Sequence, residues 1–134
     1  MAELYRTVAI NDSENNYTGI EGDWNIIVTG PTSGEPGANP EQFMGMAWAT
    51  CLNATIQALF KNRKWTNRSR VRVVVTLNPE PSGSGLYFTM TAYVAVEGLD
   101  DVETAKAADQ AHRRCPVSKL INAYEHVKVE IEAY

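Results

Sequence analysis

The longest apolar pattern in the chain runs from Phe43 to Phe60 and contains no charged residue. Phe43, Met44, Met46, Ala47, Trp48, Leu52, Ile56, Leu59 and Phe60 fall on nearly all sides of a helical wheel, which predicts a helix buried all round. Its start is marked by Asn39 as N-cap candidate, Pro40 in the first helical position and Gln42 where a capping box needs it. Cys51 lies at its middle. Elsewhere the apolar period drops to two. Residues 70–77 (RVRVVVTL) and 86–96 (LYFTMTAYVAV) read as strands joined through turn residues 78–85, a hairpin. Residues 126–132 (HVKVEIE) alternate strictly and read as a last strand. Residues 3–10 alternate weakly as a first strand, 11–16 (NDSENN) form a turn, 17–20 a short strand, 23–29 a better one, and 30–40 a loop dense in Gly and Pro. Asp100 opens a second helix with Glu103 at the box position. Val102, Ala105, Ala108, Ala111 and His112 supply its stripe. Pro116 disfavours helical geometry at Cys115, so this helix ends there and a short third one opens over 116–122. The predicted fold class is α+β, with antiparallel sheet wrapped around one buried central helix.

Composition narrows this picture. A chain of 134 residues, 44% of them hydrophobic, suits one domain, 1–134. A single domain of this length has difficulty covering a helix on every side, and an intertwined dimer resolves that by letting a second copy cover the open side. The N-terminal stretch MAELYRTVAI lacks the basic start and apolar core of a signal peptide, and no apolar run is long enough to span a membrane. The expectation is a cytoplasmic protein without membrane contact. In that compartment the N-x-S/T matches at Asn11, Asn16, Asn53 and Asn67 are accidental. The charge is uneven. Residues 61–72 (KNRKWTNRSRVR) hold six bases and no acid, whereas 1–60 hold seven acids and the single base Arg6. A basic run containing Trp65 fits a nucleic-acid patch, but it fits a solvated helix end followed by a strand with exposed arginines better. No nucleic-acid partner is expected.

The candidate chemistry rests on two cysteines. Their number excludes a disulfide-dense scaffold, and with two histidines it argues against a four-ligand zinc site. His112 and Cys115 have the spacing of two ligands on one helical face, without a further ligand set. Cys115 stands at a helix break beside Arg113 and Arg114, a setting that favours thiolate. Cys51 lies within an apolar helix, where burial raises a thiol pKa. On spacing alone an inert core residue is the favoured reading for Cys51, with a reactive thiol the alternative. There is no P-loop and no GxGxxG, and Ser118 lacks the GxSxG of a hydrolase elbow.

Two segments narrow the choice. ANPEQFMGMAWATCLNATIQAL (38–59) resembles the central helix of the OsmC/Ohr family, the osmotically induced and organic hydroperoxide resistance proteins, in its N-P-E-[EQ] start and its A-x-C. Glu41 precedes Cys51 by ten residues, the family spacing. AHRRCPVSKL (111–120) resembles the C-P-[VY]-S stretch around the family's second cysteine, and the order of elements fits along nearly the whole chain.

The resemblance implies an OsmC-like fold, an intertwined homodimer with active sites at the subunit interface, and a thiol peroxidase active on organic hydroperoxides under oxidative stress. Cys51 would be the peroxidatic cysteine and Cys115 the resolving one, with a thiol or lipoyl-type reductant and neither metal nor other cofactor. A pocket lined by Phe43, Met44, Met46 and Trp48 would suit an apolar peroxide. In the family the glutamate engages an arginine that stabilises the thiolate. The matching stretch here, 13–19 (SENNYTG), offers Asn15 and Asn16 but no arginine, which leaves Arg6, Arg113 or Arg114 as substitutes. Ten helical residues rise about 15 Å, so Glu41 cannot reach Cys51 along its own helix and would serve from the partner subunit or through an intermediary. The alternative is a non-catalytic protein of the same fold that binds a small apolar or acyl ligand.

Overall fold

A computed structural model describes residues 2–14 and 17–134. Its contacts divide the chain into two compact units, Met1–Pro40 and Glu41–Tyr134.

The first unit is a three-stranded antiparallel sheet, β1 (Ala9–Asp12), β2 (Tyr17–Ile20) and β3 (Asn25–Ile27), in chain order. The first strand therefore lies later than the weak alternation over 3–10 predicts. Its pairing is set by β2, with Ala9 opposite Ile20 and Asp12 opposite Tyr17. The β2–β3 turn is tight enough that a Cβ at Gly19 would lie 2.6 Å from the Asn25 Cβ, so only glycine fits there. Leu4, Tyr5, Trp24 and Ile27 are all exposed, at 102%, 80%, 60% and 52%.

The second unit begins with α1 (Pro40–Asn62), which starts at the predicted proline. Trp48, Leu52, Ile56, Leu59 and Phe60 form one fully covered stripe at helical spacing. The helix is not buried all round. Met46 is exposed and Ala47, Thr50, Ala54 and Ala58 with it, because one three-stranded sheet and two short helices cover one side of a long helix and no more.

β4 (Ser69–Pro79) and β5 (Leu86–Val96) form the expected antiparallel hairpin. Gly45 brings α1 close to it, since a Cβ there would meet Val75 Cγ2 at 3.3 Å. β6 (Val127–Ile131) pairs with β5 in parallel, so the sheet is mixed rather than antiparallel. The reason is the connection. Two helices, α2 (Asp101–Arg114) and α3 (Pro116–Ile121), carry the chain back across the sheet to the end where β5 began. Strict alternation in β6 sets its two faces but not its direction.

Along α2 the buried positions are Thr104, Ala107, Ala108 and Ala111. Val102 and Ala105 of the predicted stripe face solvent instead. Small side chains let α2 lie close on β5 and β6, and the bulkier Val102 stays outside in the first turn. Three of the four arginines of the basic run are paired along this sheet, while Arg63 reaches Gln110 of α2. Arg68 pairs with Glu97 at 2.7 Å, and Arg70 and Arg72 both reach Glu132, at 3.5 and 2.9 Å.

Asp100 caps α2 as expected, its carboxylate accepting from the Glu103 N–H at 2.8 Å. Asp100→Ala leaves that donor without its partner. It should cost about 1 kcal/mol, read as a fall of several degrees in melting temperature; an unchanged melting curve would show that the cap contributes nothing.

Candidate functional site

The two cysteines come from segments far apart in sequence, and each is placed by local rules. Cys51 sits on the covered side of α1, one turn beyond Trp48 and one position before Leu52, and is half-buried. Its carbonyl also accepts from the Thr55 hydroxyl at 2.8 Å. Cys115 ends α2 and begins α3. Its own N–H donates to the Ala111 carbonyl at 2.8 Å, closing α2, while its backbone is already extended ahead of Pro116. Its sulfur then takes the N-cap role, accepting from the Ser118 N–H at 3.4 Å. Cys115 is completely buried.

The fold brings these sulfurs together. Both are free thiols, and Cys51 packs against the buried core that contains Cys115. Burial is the main influence on the Cys51 thiol and pushes it above the ordinary 9.0. The Val117 backbone N–H opposes this by favouring the thiolate, while Cys115 adds to the upward push. Within one chain, then, Cys51 is the partly exposed cysteine and Cys115 the sealed one, and burial disfavours the Cys51 thiolate.

The other expected residues are placed as follows. Phe43 and Met44 are half-buried on the first turns of α1, and Met44 packs against the core that contains Cys115. Met44 also lines an apolar cavity of about 370 Å³ with Tyr87, Phe88, Met90, Leu120, Ile121 and others. Trp48 is fully covered, and its indole N–H donates to the Ser118 hydroxyl at 2.8 Å. Glu41 lies on a different opening, a concavity of about 630 Å³ lined also by Gly45, Met46, Ala49, Val73 and Val75. One of its carboxylate oxygens, Oε2, is buried and has no hydrogen-bond partner among the described residues. Arg6 is exposed and paired with Glu3 at 2.8 Å. Arg113 pairs with Asp109, and Arg113 and Arg114 line a polar cleft with Arg63 and Gln110 at the ends of α1 and α2. Asn15 and Asn16 lie outside the described residues. Among the described residues no three side chains are grouped as metal ligands, and no helix is long and apolar enough to cross a membrane.

Two contributors to this site are not evident in the sequence. Ser118 stands three residues after Cys115, where its backbone caps the sulfur and its side chain holds Trp48. The Val117 backbone N–H, which favours the Cys51 thiolate, has no residue-type signature at all. Burial also pushes His112, beside Trp48 with ring centroids 6.1 Å apart, below its ordinary 6.5.

The sequence profile of the OsmC family, described as OsmC-like protein, matches residues 31–132. Organic hydroperoxide resistance protein OhrA of Bacillus subtilis strain 168 is 26% identical over 97 residues, covering 72% of this chain and 69% of that protein. Organic hydroperoxide resistance protein-like 1 of Staphylococcus saprophyticus is 27% identical over 137 residues, covering 98% and 97%. Among solved structures, a putative redox protein from Lactobacillus casei superposes with a TM-score of 0.91 at 32% identity over 99% of this chain and 94% of that one. OhrB of Bacillus subtilis superposes with a TM-score of 0.81 at 22% identity, over 98% and 100%.

The geometry makes one direct prediction. Cys115 raises the Cys51 thiol, so Cys115→Ala should move the midpoint of Cys51 alkylation against pH downward. A midpoint unmoved or moved upward would show that the two thiols do not interact.

Proposed function

The chain belongs to the OsmC-like family, and on that premise we propose that it is a single-domain thiol peroxidase that reduces organic hydroperoxides. The observation that carries this reading is the pairing of one accessible cysteine with one sealed cysteine inside a single unit. A peroxidatic sulfur must meet substrate, and a resolving sulfur must be kept from it.

The Cys51 thiolate attacks the terminal peroxide oxygen. An S–O bond forms, the O–O bond breaks, and the alkoxide takes a proton and leaves as alcohol. Cys115 then condenses with the sulfenic acid, releasing water and leaving a disulfide. A thiol or lipoyl-type reductant reopens it by exchange. The apolar cavity beside Met44 suits the alkyl part of the substrate.

The thiolate needs positive charge, and among the described residues nothing beside Cys51 supplies it. Glu41 suggests how it arrives. Its buried, unpartnered oxygen calls for a cation or donor, and the uncovered face of α1 and the exposed apolar side chains of the first unit call for a cover. A second copy of the chain supplies both, in an intertwined dimer where Arg6 replaces the family arginine and pairs with Glu41. This reading places the protein in the cytoplasm, where the thiols stay reduced.

The raised Cys51 thiol favours a second reading, a protein of the same fold that binds a small apolar or acyl ligand without turnover.

Turnover of cumene hydroperoxide with a dithiol reductant decides between them. Cys51→Ser should abolish consumption, Cys115→Ser should stop it after about one equivalent per chain, and Arg6→Ala should slow it at least about tenfold, the loss of a charge-assisted contact. Wild-type turnover in Cys51→Ser would overturn the peroxidase reading, and wild-type turnover in Arg6→Ala would remove Arg6 from the site. Sedimentation should give a species of twice the chain mass; a stable folded monomer would overturn the dimer.

A further inference from the structure

One buried hydrogen bond links the two sulfur-bearing segments. Trp48 lies three residues before Cys51, one turn along the same side of α1, and Ser118 lies three residues after Cys115, one turn into α3. The Trp48 indole N–H donates to the Ser118 hydroxyl at 2.8 Å, and both side chains are 0% exposed. The same serine sends its backbone N–H to the Cys115 sulfur at 3.4 Å. On its other side the Trp48 ring packs against His112, one turn before Cys115. The indole thus touches both arms of the α2–α3 junction, and the junction carries the second sulfur.

We propose that Trp48 and Ser118 are positioning residues for the disulfide between Cys51 and Cys115, acting through the hydrogen bond that joins them. The proposal rests on the two cysteines being redox partners, as in the reading above. A disulfide tolerates only a narrow range of Cα separation and torsion. Cys51 is carried on a long rigid helix. Cys115 is carried on a junction between two helices, where the chain is extended and α3 is six residues long, so its placement depends on what pins α3 down. The indole–hydroxyl bond does so where water cannot substitute, and removing either partner leaves a buried polar group unsatisfied.

The chemical consequence falls on the fate of the sulfenic acid. In resolution the Cys115 sulfur attacks the Cys51 sulfur, an S–S bond forms, the S–O bond breaks, and the hydroxyl leaves as water with the Cys115 proton. The competing fate is attack by the Cys51 sulfenate on a second peroxide, which adds another oxygen and gives sulfinic acid. The Trp48–Ser118 contact biases the outcome toward the disulfide by fixing where Cys115 stands relative to the helix that carries Cys51.

The test compares wild type, Ser118→Ala, Trp48→Phe and the double variant. The first readout is the rate of Cys51–Cys115 disulfide formation by diamide, which takes up both thiol hydrogens and requires no peroxidase chemistry. Each single variant should slow it about tenfold, the scale of a lost buried hydrogen bond, and the double variant should be no slower than either single, because one contact is being removed twice. The second readout is the share of sulfinic acid, seen by mass spectrometry after limiting cumene hydroperoxide. It should rise in the variants relative to disulfide, a partition that general destabilisation does not shift. Wild-type diamide rates in the single variants, or effects that multiply in the double, overturn the proposal. Trp48→Phe removes the donor together with the pyrrole ring and opens a cavity in the core, whereas Ser118→Ala deletes a single hydroxyl, so Ser118→Ala decides where the two differ, and the ratio of sulfinic acid to disulfide in Trp48→Phe decides if Ser118→Ala does not fold. A wild-type protein that forms the disulfide with diamide but not with peroxide ends the peroxidase reading and leaves the positioning role to be judged on the diamide rates.

Discussion

Everything in the second unit follows from the need to cover α1. A helix with no charge between Gln42 and Phe60 gains by burying nearly every side, at about 25 cal/mol for each Å² of apolar surface removed from water. One sheet and two helices satisfy that on the side of Trp48, Leu52, Ile56 and Phe60. Cys51 lies at the margin of this covered stripe, so it touches the core yet keeps an opening. The same packing draws the α2–α3 junction onto the middle of α1 and brings Cys115 with it. Burial of the helix and proximity of the two thiols are one event.

That event has an electrostatic cost. The apolar cover that protects the site also disfavours the thiolate, and only the Val117 N–H opposes it among the influences on Cys51. In the proposed dimer, the uncovered half of α1 and the Glu41 oxygen that lacks a partner among the described residues are where a second copy would supply the remaining cover and charge. An apolar site completed by a charged residue from a second copy would keep the thiol quiet in the isolated chain and reactive in the assembly.

The basic run over 61–72 illustrates how composition misleads when read without geometry. Six bases in a row of twelve residues look like a patch for anions. In the fold the run turns from the end of α1 into β4, and alternation places Arg68, Arg70 and Arg72 on one side of that strand. There Glu97 and Glu132 take them up, and Tyr93 and Tyr134 lie beneath Arg72 and Arg70 at 4.5 and 5.2 Å. The acids lie tens of residues away in sequence and next door in space.

What the sequence determined alone was whatever is decided within a few residues. Pro40 marks the start of α1, Asp100 the start of α2 and Pro116 the break at Cys115, because caps and proline act on their immediate backbone. The β4–β5 hairpin and the last strand followed from period-two alternation, and the two cysteine motifs were legible as strings. What needed the tertiary structure were the contacts between distant segments. These are the pairing frame of β1, the parallel run of β6, the outward turn of Val102, and the meeting of Cys51 with Cys115. The Trp48–Ser118 bond spans 70 residues. No local preference encodes it, since a tryptophan in an apolar helix and a serine after a proline are each compatible with many neighbours. Only the closing of the core around α1 selects this one.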